Sequence, residues 1–292
     1  MPAVVSGVLR PCSWRSGFLR HASLSVLLLA AVFCQPPLSA ETRAVAVGGS
    51  TTLMPLVQSM AREFMRQSPG EDIAVSEGGS GAGIAALIAG ELDIANSSRF
   101  LTDAEFESAA AAGVYPVPFR LADGSIIPIV HKSNPVRDLT MEQLRGIYSG
   151  EIRNWKQVGG YDRAINVLTR SATSGTFAVW RDLVLKGEAI MPGATLRETS
   201  AEMVRTVNRG RGAIGYISLG HLSANVKPLR VGGIMGSRQS VRNGSYPITR
   251  SLYMFTRGWP DGRRLEFINF ALNPDQGQRL VEQSGFMPLY RQ

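Results

Sequence analysis

Three short loops rich in glycine, serine and threonine each lead directly into an apolar pattern with helical spacing. They are residues 48–52, 77–83 and 174–176. The first turn of a helix has unpaired backbone N–H groups and the positive end of the helix dipole. Glycine lets an anion approach the backbone, and serine and threonine add hydroxyl donors. Three such loops, far apart in the chain, predict several helix ends that converge on one small oxyanion.

Each loop taken alone also fits other interpretations. Residues 50–52 could simply cap the following helix, and Ser80 could lie in a tight turn. Ser80 could also be a nucleophile, but its loop lacks the final glycine of a nucleophile elbow, and only His131 and His221 are offered as bases outside the first 40 residues. No lysine follows the loop as a phosphate-cradling NTPase loop requires. The pattern therefore favours binding over catalysis, and we expect no enzymatic activity.

The first 40 residues have the layout of a cleavable signal peptide. Three arginines and no acidic residue precede an apolar stretch at 23–33, which is too short to span a bilayer and so disfavours an uncleaved anchor. Cleavage after Ala40 would leave 252 residues (292 − 40) and remove Cys12 and Cys34, the two cysteines of the chain. The sequence thus predicts an exported, periplasmic protein without disulfide or thiol chemistry.

Charge and composition narrow the class of ligand. The formal net charge is +8, and it falls to +5 (+8 − 3) when the three arginines of the leader are removed. A modestly basic protein suits an anionic ligand, whereas scattered charges without a basic block argue against nucleic acid. No cluster of histidine, cysteine and carboxylate has the spacing of metal ligands, so we expect neither a metal nor a cofactor.

Strand-like and helix-like runs alternate along the chain after residue 40. This pattern is typical of an α/β fold in which ligands collect at the carboxyl ends of the strands. The predicted strands are 43–48, 73–76, 92–97, 114–119, 125–131, 167–170, 213–218 and 253–256. The predicted helices are 53–67, 83–89, 103–112, 141–148, 176–186, 200–208, 262–272 and 275–284. Two extended segments, 115–128 and 245–253, are candidates for crossovers between two lobes that open and close around a ligand.

The order and spacing of several short motifs carry a resemblance to a known family. These motifs are GSTT at 49–52, GGSGAG at 78–83, DIANSSR at 93–99, NPV at 134–136, IYSG at 147–150, NW at 154–155, Arg170 with SGT at 174–176, GAIGY at 212–216 and YPI at 246–248. With them, the chain resembles the phosphate-binding periplasmic proteins of Pst-type ABC importers. The resemblance implies a two-lobed type II periplasmic binding protein fold with the ligand in the cleft. We place lobe 1 at 41–122 plus 248–292 and lobe 2 at 123–247.

The resemblance also implies a set of ligand residues and a set of partners. The implied phosphate ligands are Ser50, Thr51, Thr52, Leu53, Ser80 and Ser98 from lobe 1 and Arg170, Ser174, Gly175 and Thr176 from lobe 2, with Arg99 at the cleft edge. The implied function is high-affinity binding of inorganic phosphate by a monomer, which delivers it to the membrane permease of an ABC importer. Arginine suits this task because its planar, permanently charged group can donate to two phosphate oxygens.

One position departs from the pattern of the family. Where Ser98 stands, well-known members have an aspartate that accepts the proton of phosphate and so rejects sulfate. A serine can both accept and donate, and Glu77 is a candidate for a substitute carboxylate. Two alternatives therefore stay open: a receptor for another oxyanion such as sulfate, and a signalling or scaffold module that kept the fold without transport.

Overall fold

The computed structural model describes residues 43–70 and 72–290, so the predicted signal peptide and both cysteines lie outside the described residues. The first half of the described chain alternates between strands and helices. In chain order it contains β1 (Val45–Gly49), α1 (Met54–Gln67), β2 (Ile73–Val75), α2 (Ser80–Ala89), β3 (Ile94–Ser97), α3 (Asp103–Ala111), the long strand β4 (Pro116–Val130), β5 (Asp138–Leu139) and α4 (Met141–Ser149).

The second half continues the alternation and returns to the first sheet near its end. A 3₁₀ turn (Trp155–Val158) is followed by β6 (Asn166–Thr169), α5 (Gly175–Leu183), β7 (Thr195–Leu196), α6 (Ser200–Arg209) and β8 (Ala213–Ser218). A second 3₁₀ turn (Leu219–His221) precedes β9 (Lys227–Pro228), β10 (Arg230–Val231), α7 (Arg238–Arg242), β11 (Thr249–Arg257), α8 (Gly262–Leu272) and α9 (Gly277–Gln283).

The main sheet has the strand order β2-β1-β3-β11-β4-β8-β6-β7, with β9 added beside β4. Strand β1 is parallel to β2 and β3, and β6 is parallel to β7 and β8, whereas β11 is antiparallel to both β3 and β4. Because the carboxyl ends of parallel strands meet at one edge, the loops that follow β1, β2 and β3 are brought together. The loop that follows β6 starts from the carboxyl edge of the other group of parallel strands, which consists of β6, β7 and β8.

Two large hydrophobic cores lie along this sheet, and β4 contributes to both. Leu121 of β4 packs in the first core with side chains of α1 and α8, and Ile126 packs in the second with α4 and α5. The chain passes back in the same way, since Ile248 lies in the second core and Leu252 in the first. Segments 115–128 and 245–253, predicted as crossovers, therefore form largely paired strands whose residues pack in both cores.

Local signals in the sequence placed several elements well. Thr102 and Thr140 each accept a hydrogen bond from the third residue of the following helix, and Glu105 and Gln143 return one, which completes two capping boxes. The prediction of two strands at 114–119 and 125–131 was wrong, because β4 runs through both without a break. Pairing with β11 along its first part and with β8 along its last part holds it extended.

Among the helices at 43–70 and 72–290, none is long and apolar enough to cross a bilayer.

Candidate functional site

Three loops that follow strands of the first core meet at one place; the glycine-rich patterns predicted two of them, and the resemblance implied the third. Ser50 follows β1, Ser80 begins α2, and Ser98 follows β3. The hydroxyl of Ser50 is hydrogen-bonded to that of Ser98, and the backbone N–H of Ser98 donates to Oγ of Ser80 at 3.0 Å. All three serines are buried. A buried cluster of hydroxyls at the carboxyl edge of a sheet is suited to a small polar ligand.

The first loop does not cap the helix that it precedes. The N-cap position of α1 is Leu53, and no side chain accepts a hydrogen bond there. The hydroxyls of Thr51 and Thr52 instead point to groups from the second half of the chain. Oγ1 of Thr51 accepts from Arg170 at 2.8 Å, and Oγ1 of Thr52 lies 2.9 Å from Oγ1 of Thr176. Simple capping therefore does not account for these two threonines.

The beginning of α5 faces the same hydroxyl cluster. Ser174 is the N-cap, and its Oγ accepts from the backbone N–H of Phe177 at 3.3 Å. Among the described residues, the backbone N–H groups of Gly175 and Thr176 have no hydrogen-bond acceptor. These are the groups that a helix start offers to an anion, and the helix dipole adds partial positive charge there. Ser174, Gly175 and Thr176 are all buried.

Several hydrogen bonds join the loops of the first core, at residues 50–53, 77–83 and 98, directly to loops of the second half of the chain. We call these two groups of loops the two sides of the site. The backbone N–H of Gly81 donates to the carbonyl of Thr173 at 2.9 Å, and Nε2–H of His221 donates to the carbonyl of Thr52 at 3.0 Å. Burial is the main effect that lowers the pKa of His221, and the neighbouring positive charges of Arg170 and Arg250 add to it. His221 is therefore neutral near neutral pH and serves as a hydrogen-bond donor between the two sides.

Arg170 lies immediately after β6, although the predicted strand 167–170 included it, and only 3% of its surface is exposed. Its Nη2 donates to Thr51 and to the carbonyl of Glu198, while its backbone N–H donates to the hydroxyl of Tyr216 at 3.2 Å. The ring of Tyr216 stacks on Trp180 with centroids 4.3 Å apart. This packing fixes the backbone from which the guanidinium projects.

A second buried arginine, Arg250, lies at the same site and was missed by the sequence analysis. It is on β11 opposite Gly124 of β4, and 8% of its surface is exposed. Its Nη2 donates to Oγ1 of Thr176 at 3.2 Å. The only signal in the sequence was a charged residue inside a segment predicted to cross between lobes. No glycine loop or motif marks it, because its approach to the site depends on the pairing of β11 with β4.

Both guanidinium groups are positive and buried, and neither has a carboxylate partner in the described part of the chain. Across residues 43–70 and 72–290, Nε and Nη1 of Arg170 and of Arg250 are buried without a hydrogen-bond partner, and neither arginine forms an ion pair. Burial, and secondly the positive charge of Arg170, lowers the pKa of Arg250 to about 9, so that Arg250 stays charged near neutral pH. Buried charge of one sign is unfavourable unless an opposite charge is supplied, so this arrangement favours an anionic ligand.

Three residues considered in the sequence analysis have other settings. The guanidinium of Arg99 is in a bidentate pair with Glu105, with both nitrogen–oxygen distances 2.6 Å. The backbone N–H of Leu53 donates to the carbonyl of Ser50, and its side chain lies in the first core. Glu77 is exposed and makes no hydrogen bond to either buried arginine. The guanidinium of Arg99 and the backbone N–H of Leu53 therefore donate to other protein groups. Glu77 does not place a carboxylate beside either buried arginine.

The histidines do not form a nucleophilic site with Ser80. Nδ1 of His131 is paired with Oγ of Ser133, His221 donates to a carbonyl, and Ser80 accepts from a backbone N–H. Neither histidine is hydrogen-bonded to Ser80 in the described part of the chain, so no general base is placed beside that hydroxyl. In the same part of the chain, no three His, Cys, Asp or Glu side chains are grouped so that they could hold a metal ion.

Gly175 leaves space for close contact between the two sides, and its replacement tests that contact. A methyl group at this position would collide with Oγ of Ser80, lie 2.9 Å from Cβ of Ser80 and lie 3.2 Å from Cβ of Ser98. We therefore expect Gly175→Ala to hold the loops apart and weaken anion binding by about tenfold or more, since several hydrogen bonds would lengthen together. Titration calorimetry measures the change in affinity.

The matched control for Gly175→Ala is Gly78→Ala. A methyl group at Gly78 would meet only Cβ of Ala82, at an ordinary 3.6 Å, and the residue is exposed. We expect this variant to bind like the parent protein. Thermal unfolding of both variants separates a loss of affinity from a loss of folding. Alanine is more favourable than glycine in a helix, so the helix start at residue 175 does not by itself disfavour Gly175→Ala. An unchanged affinity for Gly175→Ala would show that the contact with Ser80 is not required.

Two α/β cores joined by long strands, with an anion cradle built from loops of both, define the class of two-lobed type II binding proteins. The profile of the PBP superfamily domain matches residues 36–275. The phosphate-binding protein PstS of Bacillus subtilis is 30% identical over 244 residues, which cover 83% of this chain and 80% of that protein. The chain therefore belongs to the PBP superfamily and, within it, to the family of PstS-like phosphate-binding proteins.

Solved structures agree with this assignment. A Clostridium perfringens protein, described as a phosphate ABC transporter substrate-binding protein and solved with bound phosphate, is 30% identical, has a TM-score of 0.79, and matches over 85% of this chain and all of its own. An ABC-type phosphate transport receptor from Vibrio cholerae is 31% identical with a TM-score of 0.68, over 83% of this chain and 99% of its own.

Proposed function

We propose that this protein binds inorganic phosphate with high affinity between its two lobes and delivers it to the permease of an ABC importer. The observation that carries this proposal is the pair of buried arginines, Arg170 and Arg250, whose two positive charges and four nitrogen atoms without a partner among the described residues favour an anion. The bound phosphate in the relative from Clostridium perfringens supports the choice of ligand.

In the proposed site, each lobe supplies a different part of the coordination. Lobe 1 provides hydroxyls from Ser50, Thr51, Thr52, Ser80 and Ser98, and lobe 2 provides Arg170, the Ser174 cap, and the N–H groups of Gly175 and Thr176. Arg250 joins this set from the strand that returns to lobe 1. We assign Arg99 to the support of the Ser98 loop through its pair with Glu105, and we give Leu53 no direct contact.

The two lobes correspond to the two hydrophobic cores. We propose lobe 1 at 41–122 plus 248–292 and lobe 2 at 123–247. The cores divide along β4 between Ala122 and Ile126, and on the return between Ile248 in the second core and Leu252 in the first, just after the proposed boundary. Ligand-driven closure requires that the ligand bind the closed form better than the open form. Contacts from both lobes to one anion supply that difference, since an open cleft keeps only one set.

The cellular role extends beyond the site. We propose that the chain is exported by its N-terminal signal peptide, acts in the periplasm as a monomer, has no nucleic-acid partner and catalyses no reaction. The layout of residues 1–40 supports export, and the names of the relatives support a permease partner. The settings of His131 and His221 support the absence of hydrolysis, because neither is placed to activate Ser80.

Calorimetric titration of the mature protein, stripped of bound anion, tests the function. We expect tight one-to-one binding of phosphate and no release of phosphate from a generic phosphate ester. A folded sample that gives no heat with phosphate would exclude the transport role and favour a scaffold or signalling module. Steady turnover of the ester, abolished by Ser80→Ala, would instead identify a hydrolase.

A further inference from the structure

The two proposed lobes carry net charges of opposite sign. Lobe 2, residues 123–247, has 17 lysines and arginines and 9 aspartates and glutamates, which give a formal charge of +8 (17 − 9). Lobe 1, residues 41–122 plus 248–292, has 11 basic and 14 acidic residues, which give −3 (11 − 14). Arg170 is the one basic residue of lobe 2 in the proposed phosphate site, so most of the positive charge of lobe 2 lies elsewhere.

The cations of lobe 2 differ in whether a carboxylate neutralises them. Ion pairs with carboxylates involve four of them, namely Arg145, Lys156, Arg181 and Arg238. Four other cations are exposed, and their side chains have no ion-pair partner and no hydrogen-bond acceptor among residues 43–70 and 72–290. They are Lys132, Arg163, Arg209 and Arg211. The excess charge of the lobe is therefore carried in part by side chains that are free to meet an external anion.

These four cations meet at the end of lobe 2 that is opposite the cradle. The cradle lies after the carboxyl end of β6, whereas Arg163 precedes β6 and Arg211 precedes β8, which is parallel to β6. Lys132 follows β4, which is antiparallel to β8, so it lies at the same end of the sheet. Arg209 ends α6, just before the turn into β8, and a methyl group on Gly212 of this turn would lie 3.4 Å from Cδ of Arg163. We call Lys132, Arg163, Arg209 and Arg211 the basic end of lobe 2.

An exposed tyrosine lies in the same segment as one of these arginines. Tyr161 precedes Arg163 by two positions, and 62% of its surface is exposed. The carboxylate between them in the sequence, Asp162, is bound to Lys156 and Asn154 and forms no ion pair with the arginine. Tyrosine is enriched where proteins meet the headgroup region of a bilayer, because its ring is amphipathic, and arginine is attracted to anionic lipids.

The setting of the four cations favours a lipid surface over a partner of fixed shape. Arginines that recognise one carboxylate or phosphate group do so through a bidentate geometry, which supporting contacts must hold. Here the side chains are exposed at the ends of separate elements, and no described residue holds them by a hydrogen bond or an ion pair. A bilayer offers many mobile anionic headgroups and needs no fixed geometry, since it acts through its surface potential.

We propose that the basic end of lobe 2 binds the surface of a membrane that contains anionic phospholipids. The inference goes beyond phosphate binding, because this surface and Arg170 lie at opposite ends of lobe 2. Attachment at this end leaves the cleft uncovered and keeps the protein close to a bilayer. Each cation near an anionic bilayer strengthens attachment by about fivefold, and salt screens this attraction, so the binding is weak and depends on salt.

Cosedimentation of the mature, phosphate-loaded protein with lipid vesicles tests the proposal. Vesicles of phosphatidylglycerol and phosphatidylcholine in equal parts are compared with vesicles of phosphatidylcholine alone, at low and at high salt. We expect the protein to bind the anionic vesicles at low salt, to be released at high salt, and to remain in solution with the neutral vesicles. Absence of binding to the anionic vesicles, or equal binding to both kinds, would overturn the proposal.

A triple variant locates the surface, with Arg163→Gln, Arg209→Gln and Arg211→Gln combined. We expect it to bind the anionic vesicles more than about tenfold more weakly than the parent, because three of the four cations are lost. The matched control removes the same net charge from exposed positions of lobe 1, by glutamine at Arg62, Arg257 and Arg279. We expect the control to bind like the parent. Equal weakening in both triple variants would assign the attraction to the net charge of the protein and not to the basic end of lobe 2.

Phosphate titration and thermal unfolding of the triple variant distinguish a lost surface from a lost fold. We expect both to match the parent, since the three arginines are exposed and lie outside the cradle. If the triple variant does not fold, Arg211→Gln alone is expected to weaken vesicle binding by about fivefold, and an unchanged affinity would contradict the proposal.

Duplex DNA in place of the vesicles tests the alternative anionic partner. We expect the anionic vesicles to compete with DNA for the protein at equal concentrations of phosphodiester. Tighter binding of DNA than of anionic vesicles, lost in the same triple variant, would identify nucleic acid as the partner of this surface and overturn the proposal of a membrane.

Discussion

Arg170→Ala is expected to weaken phosphate binding by about 2–5 kcal/mol, roughly 30-fold to several thousand-fold. The side chain is 3% exposed, and its Nε and Nη1 have no partner among the described residues. Its removal deprives a buried anion of a cation and of charge-assisted hydrogen bonds, which are about twice as strong as neutral ones. The bond from Nη2 to Thr51, which joins the two sets of loops, is lost as well.

Titration calorimetry with phosphate measures this effect, and two further variants define its origin. Arg170→Lys keeps the charge but not the planar group, so we expect it to recover only part of the affinity. Arg181→Ala is the matched control, because Arg181 is an exposed arginine of α5 that pairs with Asp182. An affinity for Arg170→Ala within a few-fold of the parent would place Arg170 outside the site.

Arg250→Met is expected to weaken phosphate binding by about tenfold to a thousandfold and, at the same time, to stabilise the ligand-free protein. Burial and the nearby charge of Arg170 both disfavour the charged form of Arg250, as its lowered pKa shows. Methionine fills much of the same volume without the charge, and replacement of buried charge by apolar groups is often neutral or stabilising by about 1–4 kcal/mol. Opposite signs for binding and stability distinguish a ligand cation from a structural one.

Two measurements are needed for Arg250→Met: phosphate affinity by calorimetry, and the free energy of unfolding of the anion-free protein by denaturant titration. The control is Arg257→Met on the same strand, because Arg257 is exposed and near the far end of β11. We expect the control to change neither quantity appreciably. A loss of stability in Arg250→Met together with unchanged affinity would make Arg250 a structural residue and remove the second cation from the proposed site.

Local patterns in the sequence were sufficient to predict many of the helices and strands. Thr102 and Thr140 predicted helix starts because a capping box depends on residues only three positions apart. The glycine loop at 77–83 predicted a helix start, although α2 begins at Ser80 and not at residue 83.

Long-range pairing explains why the sequence did not reveal Arg250 or the length of β4. Arg250 has no local signal, since its position opposite Gly124 and its contact with Thr176 both depend on how β11 pairs with β4. The unbroken strand β4 likewise depends on its different partners, β11 and β8, along its length. The pairing of Arg99 has a local cause, because the first turn of α3 brings Glu105, six positions along the chain, to its guanidinium.

The sequence by itself determined the α/β class of the fold and the glycine- and hydroxyl-rich loops that begin helices, because periodicity, capping and small-residue loops are properties of neighbouring residues. Only the tertiary structure decided which buried cations have nitrogen atoms without a partner among the described residues and which are neutralised by a carboxylate. For Arg170 and Arg250, which are 80 positions apart (250 − 170), strand pairing and core packing bring the two charges to one site, and no local pattern records that distance.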